Sequence, residues 1–129
     1  AADLTVIGQS RVYLRASAPV AHADFFLRLC DVGPDNVSLN ICDKLFRVTP
    51  DTPRNADGSW SLTFNLHATA HTFRAGHRLR LQVSSGAHPR FARNLGSDEP
   101  IGTATTLVAN DITIIHDGTM LELPTYELH

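Results

Sequence analysis

Three segments of this chain alternate apolar and polar residues with a period of two, and that alternation constrains its fold more than any other feature of the sequence. In Arg11-Val12-Tyr13-Leu14-Arg15-Ala16, the set Val12, Leu14 and Ala16 falls on one side. Trp60-Ser61-Leu62-Thr63-Phe64-Asn65-Leu66 places Trp60, Leu62, Phe64 and Leu66 together. Arg78-Leu79-Arg80-Leu81-Gln82-Val83-Ser84 does the same with Leu79, Leu81 and Val83. Successive side chains of an extended strand point to opposite faces, so each segment reads as a strand with one face on a core and one in water.

Other strands follow a looser pattern. Residues 24–32 are too apolar to alternate cleanly, which predicts a strand covered on both faces. Residues 39–49 come after Gly33-Pro34-Asp35-Asn36, a run of turn formers between two apolar stretches and hence a hairpin signal. Residues 112–115 and 120–123 are read as closing strands separated by an Asp117-Gly118 hairpin turn. The best helical stretch is residues 67–73, one or two turns ended by Gly76. The expectation is an all-β domain of seven or eight strands in two packed antiparallel sheets. Residues 85–108 escape the scheme: they contain Gly86, Pro89, Gly96, Pro100 and Gly102 with little periodicity. A loop of that length is uncommon inside a compact domain and is usually functional or packed against something.

The 129 residues fit one domain, 1–129, with enough chain to bury a core without metal or disulfide. Charged residues make up 19% and the net charge is -2, which gives no reason to expect nucleic acid or an anionic membrane as partner. Lys44 is the only lysine, so the basic side chains are otherwise arginines. No apolar run is long enough to span a bilayer, and Ala1-Ala2-Asp3-Leu4-Thr5 lacks the regions of a secretion signal. A cytoplasmic location is therefore expected, and the abrupt strand-like start is expected of a fragment or processed chain. Cys30 and Cys42 would sit on neighbouring strands of a hairpin, as a disulfide or, by preference, as two buried thiols.

Catalytic chemistry is sparse. No Gly-x-Ser-x-Gly elbow is present; Gly8-Gln9-Ser10-Arg11-Val12 lacks the second glycine, and Ser84 and Ser85 end an alternating strand. His67 and His71 are four apart, yet no nearby carboxylate or cysteine stands out as a third ligand; a metal-dependent enzyme would have to use His67, His71 and His77 together. His116 and Asp117 are adjacent in an expected strand and would face opposite ways. Trp60, with Tyr13 and the phenylalanines, suggests a sugar-stacking platform, but its register with Leu62 and Phe64 puts it on the core face. The expectation is no catalytic residue, no metal and no cofactor. One polar stretch is unexplained: His88-Pro89-Arg90-Phe91-Ala92-Arg93-Asn94, where two arginines flank a phenylalanine. His88, Arg90, Phe91, Arg93 and Asn94 are the candidate docking or pocket-rim residues, because an exposed phenylalanine and arginines suit an interface.

Several strings resemble one hydrolase family. Asp24-Phe25-Phe26-Leu27-Arg28-Leu29-Cys30-Asp31-Val32 is similar to its Asp-Phe-x-x-Arg/Lys-Leu-x-Asp-Val stretch. The block from Ala70 through Phe73, Gly76-His77-Arg78 and Gln82-Val83-Ser84-Ser85 is similar to its Phe-x-x-Gly-His-Arg-x-x-x-Gln-Val-Ser-Ser stretch. Pro89-Arg90-Phe91-Ala92-Arg93-Asn94 and Ile115-His116-Asp117 match in the same order. The resemblance is to the C-terminal domain of the cocaine-esterase-like (CocE/NonD) hydrolases, which include X-Pro dipeptidyl-peptidases and α-amino acid ester hydrolases. It implies a jelly-roll β-sandwich of the galactose-binding-like type, packed on an α/β-hydrolase catalytic domain of the same parent chain. It carries over no catalytic residue, since the family's triad motifs match nothing here. It also implies sheet strands upstream of Ala1, so the isolated chain is expected to present an open edge and to associate as a homodimer. A stand-alone carbohydrate-binding jelly roll is the alternative reading.

Overall fold

The computed structural model describes residues 2–127, and these form strands and turns without a helix. The strands are β1 (Leu4–Gly8), β2 (Arg11–Ser17), β3 (Ala23–Val32), β4 (Ser38–Val48), β5 (Trp60–Asn65), β6 (Thr69–Phe73), β7 (Arg78–Ser84), β8 (Thr113–Glu122) and β9 (Thr125–Tyr126). They pair antiparallel in the orders β6-β1-β9, β5-β2-β8 and β4-β3-β7.

The first two of these sheets are halves of one bent ribbon. The chain runs directly from β1 to β2, from β5 to β6 and from β8 to β9, and in each half the strands lie in the same relative order. Backbone bonds bridge the bend, from Leu66 N–H to the Ser10 carbonyl (2.9 Å) and from Ile7 N–H to the Pro124 carbonyl (3.0 Å). Gly8 turns the corner at φ 122°, where a side chain would be strained and would meet the Pro124 ring at 3.5 Å. The bent ribbon and the β4-β3-β7 sheet are the two layers of a β-sandwich.

The core lies between the layers. Val12, Leu14 and Ala16 of β2 meet Phe25, Leu27 and Leu29 of β3, with Trp60, Leu62, Leu66 and Val48 around them. Trp60 is 1% exposed, so its place on the core face is as the alternation predicts. Phe25 packs against it edge to face, ring centroids 6.2 Å apart. The Arg54 guanidinium lies over the indole ring at 3.9 Å and donates to the carbonyls of Ala18, Val20 and Gly58.

The β3–β4 hairpin turns at Gly33-Pro34-Asp35-Asn36 as expected. Gly33 N–H donates to the Val37 carbonyl, Asn36 takes φ 65°, and the Asp35 carboxylate accepts the Val37 N–H at 3.1 Å. Cys30 and Cys42 are free thiols on these two strands, offset by a bulge at Leu29/Cys30 that pairs Leu29 with Cys42 and Cys30 with Asn40.

Two expectations are corrected. Residues 67–73 contain no helix: Thr69–Phe73 is strand β6, paired along β1 from Leu4↔Phe73 to Gly8↔Thr69. Thr69 and Thr72 are β-branched and the neighbouring strand supplies the hydrogen bonds, which outweighs a weak helical spacing. Asp117-Gly118 is not a hairpin turn either. The segments on its two sides continue along the same partner, Ile115 opposite Arg15 and Met120 opposite Tyr13, so residues 116–119 form a bulge within β8. The Thr119 hydroxyl closes it, accepting from Arg15 N–H at 3.1 Å and donating to the Ile115 carbonyl at 2.6 Å. Gly118 supplies the positive φ of 84° that both structures need, which is why the dipeptide reads as a turn.

Candidate functional site

β3 is buried on both faces, and the loop after β7 is what covers the second one. Phe25, Leu27 and Leu29 face the core, while Asp24, Phe26 and Cys30 face outward and are buried all the same. The Phe91 ring packs on Phe26 with centroids 5.9 Å apart. Arg90 lies over both rings, 5.9 Å from Phe26 and 5.2 Å from Phe91, and its guanidinium pairs with Asp43 of β4 at 2.6 Å. Asn94 donates to the Asp24 carboxylate at 3.0 Å and accepts the Gly96 N–H at 3.0 Å. Arg47 holds the same Asp24 through both oxygens, at 2.8 and 2.7 Å, and donates to the Ala92 carbonyl at 2.8 Å. Burial alone would raise the Asp43 carboxyl, but the hydrogen bonds from Arg90 and Asn40 outweigh it and hold it below the usual range.

The five candidate residues therefore divide. Arg90, Phe91 and Asn94 are fastened to the domain's own sheet, whereas His88 and Arg93 are exposed and make no ion pair among the described residues. Behind Arg93 is a polar pocket of ≈ 210 Å³ whose lining includes His22, Asp24, Ser85, Asn94 and Asn110. Farther along the loop, Glu99 accepts the N–H groups of Thr105 and Thr106 at 2.9 Å and the hydroxyls of Thr106 and Ser97. Those two backbone bonds hold its carboxyl below the usual range. The aperiodic loop is thus tied down at both ends by carboxylates.

The histidines form one constellation that sequence reasoning missed. Asp31, on β3, bridges His71 of β6 and His77 of the following turn: His71 Nε2 lies 2.8 Å from Asp31 Oδ2, and His77 Nδ1 lies 2.8 Å from Asp31 Oδ1. Burial would raise Asp31, but the hydrogen bonds from His71 and His77 outweigh it and keep the carboxyl below its usual value. His67 stands elsewhere, its N–H donating to the Asp43 carbonyl at 3.1 Å. Among the described residues no three His, Cys, Asp or Glu side chains are arranged to hold a metal ion. The signal that was available is the pair of strings Asp31-Val32 and Gly76-His77, about 45 residues apart and both inside the family-like motifs. The constellation ties β3, β6 and the β6–β7 turn together.

The serine that ends β7 is engaged with backbone. The Ser84 hydroxyl donates to the carbonyls of Phe26 and Gly86, both at 3.3 Å, and among the described residues no imidazole is its partner. His116 and Asp117 stand in the exposed β8 bulge. What the fold presents is a β-sandwich whose most elaborate feature is a surface loop tied to its own sheet. The sequence matches, over residues 1–121, the family described as the X-Pro dipeptidyl-peptidase C-terminal non-catalytic domain. The chain belongs to that family, as the resemblance of its motifs implied.

Relatives support the same placement. The chain is 32% identical over 99 residues to a cocaine esterase of Rhodococcus sp. (strain MB1 Bresler), an alignment covering 71% of this chain and 17% of that protein. Among solved structures, an α-amino acid ester hydrolase superimposes with a TM-score of 0.86 at 24% identity, over 97% of this chain and 24% of that one. An aminopeptidase from a marine-sediment Thaumarchaeota archaeon gives 0.86 at 24% identity, over 98% and 24%. These two likenesses establish the shared fold. The chain spans about a quarter or less of each of these three proteins.

Proposed function

We propose that this domain serves a parent serine hydrolase acting on an acyl bond, ester or amide, and that it packs on the α/β-hydrolase domain through loop 85–108. In that arrangement His88 and Arg93 stand at the contact or at the rim of the acyl-binding pocket. One observation carries the reading: the loop is a surface held by Asp24, Asp43 and Glu99, yet among the described residues it leaves Arg93 without an ion pair beside a polar pocket. An arginine held on a fixed support at little further entropy cost is a good interface anchor.

His88→Ala with Arg93→Ala in the parent protein is the test, because neither side chain supports the domain's own fold. The expected result is a lowered unfolding temperature of the parent and a changed KM for an acyl substrate, with the isolated domain as stable as before. Unchanged parent stability together with unchanged kinetics would overturn the docking role. The same proposal includes self-association of the isolated domain through β7, an edge strand of its sheet among the described residues. A single monomeric species in sedimentation at high concentration would refute that part.

A further inference from the structure

We propose that the part of the outer face of the β4-β3-β7 sheet that loop 85–108 leaves open, around Arg28, Arg78 and Arg80, is a docking surface for carboxylates, and that its occupant is an acidic surface of the hydrolase domain. The inference rests on the proposed packing and names the face and chemistry of the contact. The register of the sheet defines which residues share that face. Outward positions on β3 pair with outward positions on β7, Arg28 with Gln82, Cys30 with Arg80 and Val32 with Arg78, and on β4, Asp24 with Arg47 and Arg28 with Asp43. Arg90 joins them from the loop through its ion pair with Asp43.

The face thus carries the arginines at 28, 47, 78, 80 and 90 against the aspartates at 24 and 43. Both aspartates are already neutralised, Asp24 by Arg47 and Asp43 by Arg90. Arg28, Arg78 and Arg80 form no ion pair among the described residues, although the chain as a whole is acidic at -2. Arg28 is held in place, its guanidinium 4.9 Å from the centre of the Phe26 ring. Arg78 donates to the Asn36 side chain at 2.6 Å. Beside Arg28 a depression of ≈ 240 Å³ is lined by Phe26, Asn40, Asp43, His88, Pro89 and Arg90. Uncompensated guanidinium groups on one fixed, partly aromatic face attract carboxylates, and their planar forks bind them two bonds at a time.

The parent protein carries the test. Arg28→Lys and Arg80→Lys, made singly, keep the charge and supply an amine, and Arg11→Lys places an amine on the opposite layer. Coupling with a water-soluble carbodiimide then joins each amine to any carboxylate it touches, and mass spectrometry reads the site. The expected result is coupling from positions 28 and 80 to Asp or Glu of the hydrolase domain, several-fold above position 11. Coupling between the domains from position 11 alone overturns the choice of face and, because loop 85–108 lies on that same face, the loop's part in the contact, while leaving packing on the hydrolase domain standing. Absence of coupling from positions 28 and 80, with none from position 11, overturns this inference alone if His88→Ala with Arg93→Ala still destabilises the parent. It overturns both if that variant leaves parent stability and kinetics unchanged. Retention of the parent on duplex DNA or phosphatidylserine vesicles that Arg28→Glu with Arg80→Glu abolishes, without such coupling, overturns the inference in favour of a phosphate-bearing partner.

Discussion

β3 and β7 are neighbours in one sheet, paired from Phe26↔Ser84 to Val32↔Arg78, yet they occupy opposite environments. β3 has the bent ribbon on one face and loop 85–108 on the other, and every residue but Arg28 is buried. β7 alternates more regularly than β3, and Leu79 on its apolar side is nonetheless 37% exposed. The difference follows from position. β3 is the central strand under the core and under Phe91, whereas β7 is an edge strand, beyond which the layers offer it little cover. A regular alternation says which side of a strand would face a core, and the neighbours decide how much core is there.

The comparison breaks most sharply at paired leucines. Leu27→Ala on β3 removes a side chain with no exposed surface and should cost about 3–4 kcal/mol, while Leu79→Ala on β7 should cost no more than about 0.5 kcal/mol. Urea unfolding of the two variants measures both, and equal losses would remove the distinction. The second face of β3 is tested by Phe91→Ala, which uncovers Phe26. Because Phe91 is itself only half-buried, about 1–2 kcal/mol is expected, well below a fully buried phenylalanine.

Asp31 sharpens the comparison at the far end of the strand, where β3 is fastened to the β6–β7 turn. Its carboxyl titrates below the ordinary value of 3.8 when folded, so between the two values the unfolded chain binds more protons. Its contribution is therefore complete above about pH 4 and is lost as the pH falls through the folded value. Asp31→Asn should cost about 1–2 kcal/mol near neutrality and flatten the acid limb of a stability-versus-pH curve. A variant with an unchanged acid limb would show that other carboxylates govern it. The smallest effect belongs to the β8 bulge. Thr119→Val deletes the hydroxyl that closes it and should cost about 1 kcal/mol by urea unfolding, with the fold intact.

Much of this was legible in advance because it depends on local periodicity. Strands β2 and β5, the core side of Trp60 and the Gly33–Asn36 turn each follow from residues within a few positions of one another. The failures share a different origin. Residues 67–73 hold no strong local preference, so pairing with β1 decided their conformation. Asp117-Gly118 encodes a positive φ, which a hairpin and a bulge use equally, and only the partner strand distinguishes them. In the candidate site, the loop stood out by its missing periodicity, and Phe91 and Arg90 by their chemistry. That Phe91, Arg90 and Asn94 are spent on the domain's own sheet, leaving His88 and Arg93 outward, depends on Phe26, Asp43 and Asp24, which lie 47 to 70 residues away.

By itself, the sequence determined a β-sandwich domain with no nucleophile elbow and membership of a hydrolase-associated family, because alternation and contiguous motifs are properties of neighbouring residues. The tertiary structure alone decided which strand is covered twice, that Asp31 joins His71 to His77, and that three arginines share one uncompensated face. Each of these is a meeting of distant segments, fixed by sheet register and layer packing, and no spacing within a single segment encodes it.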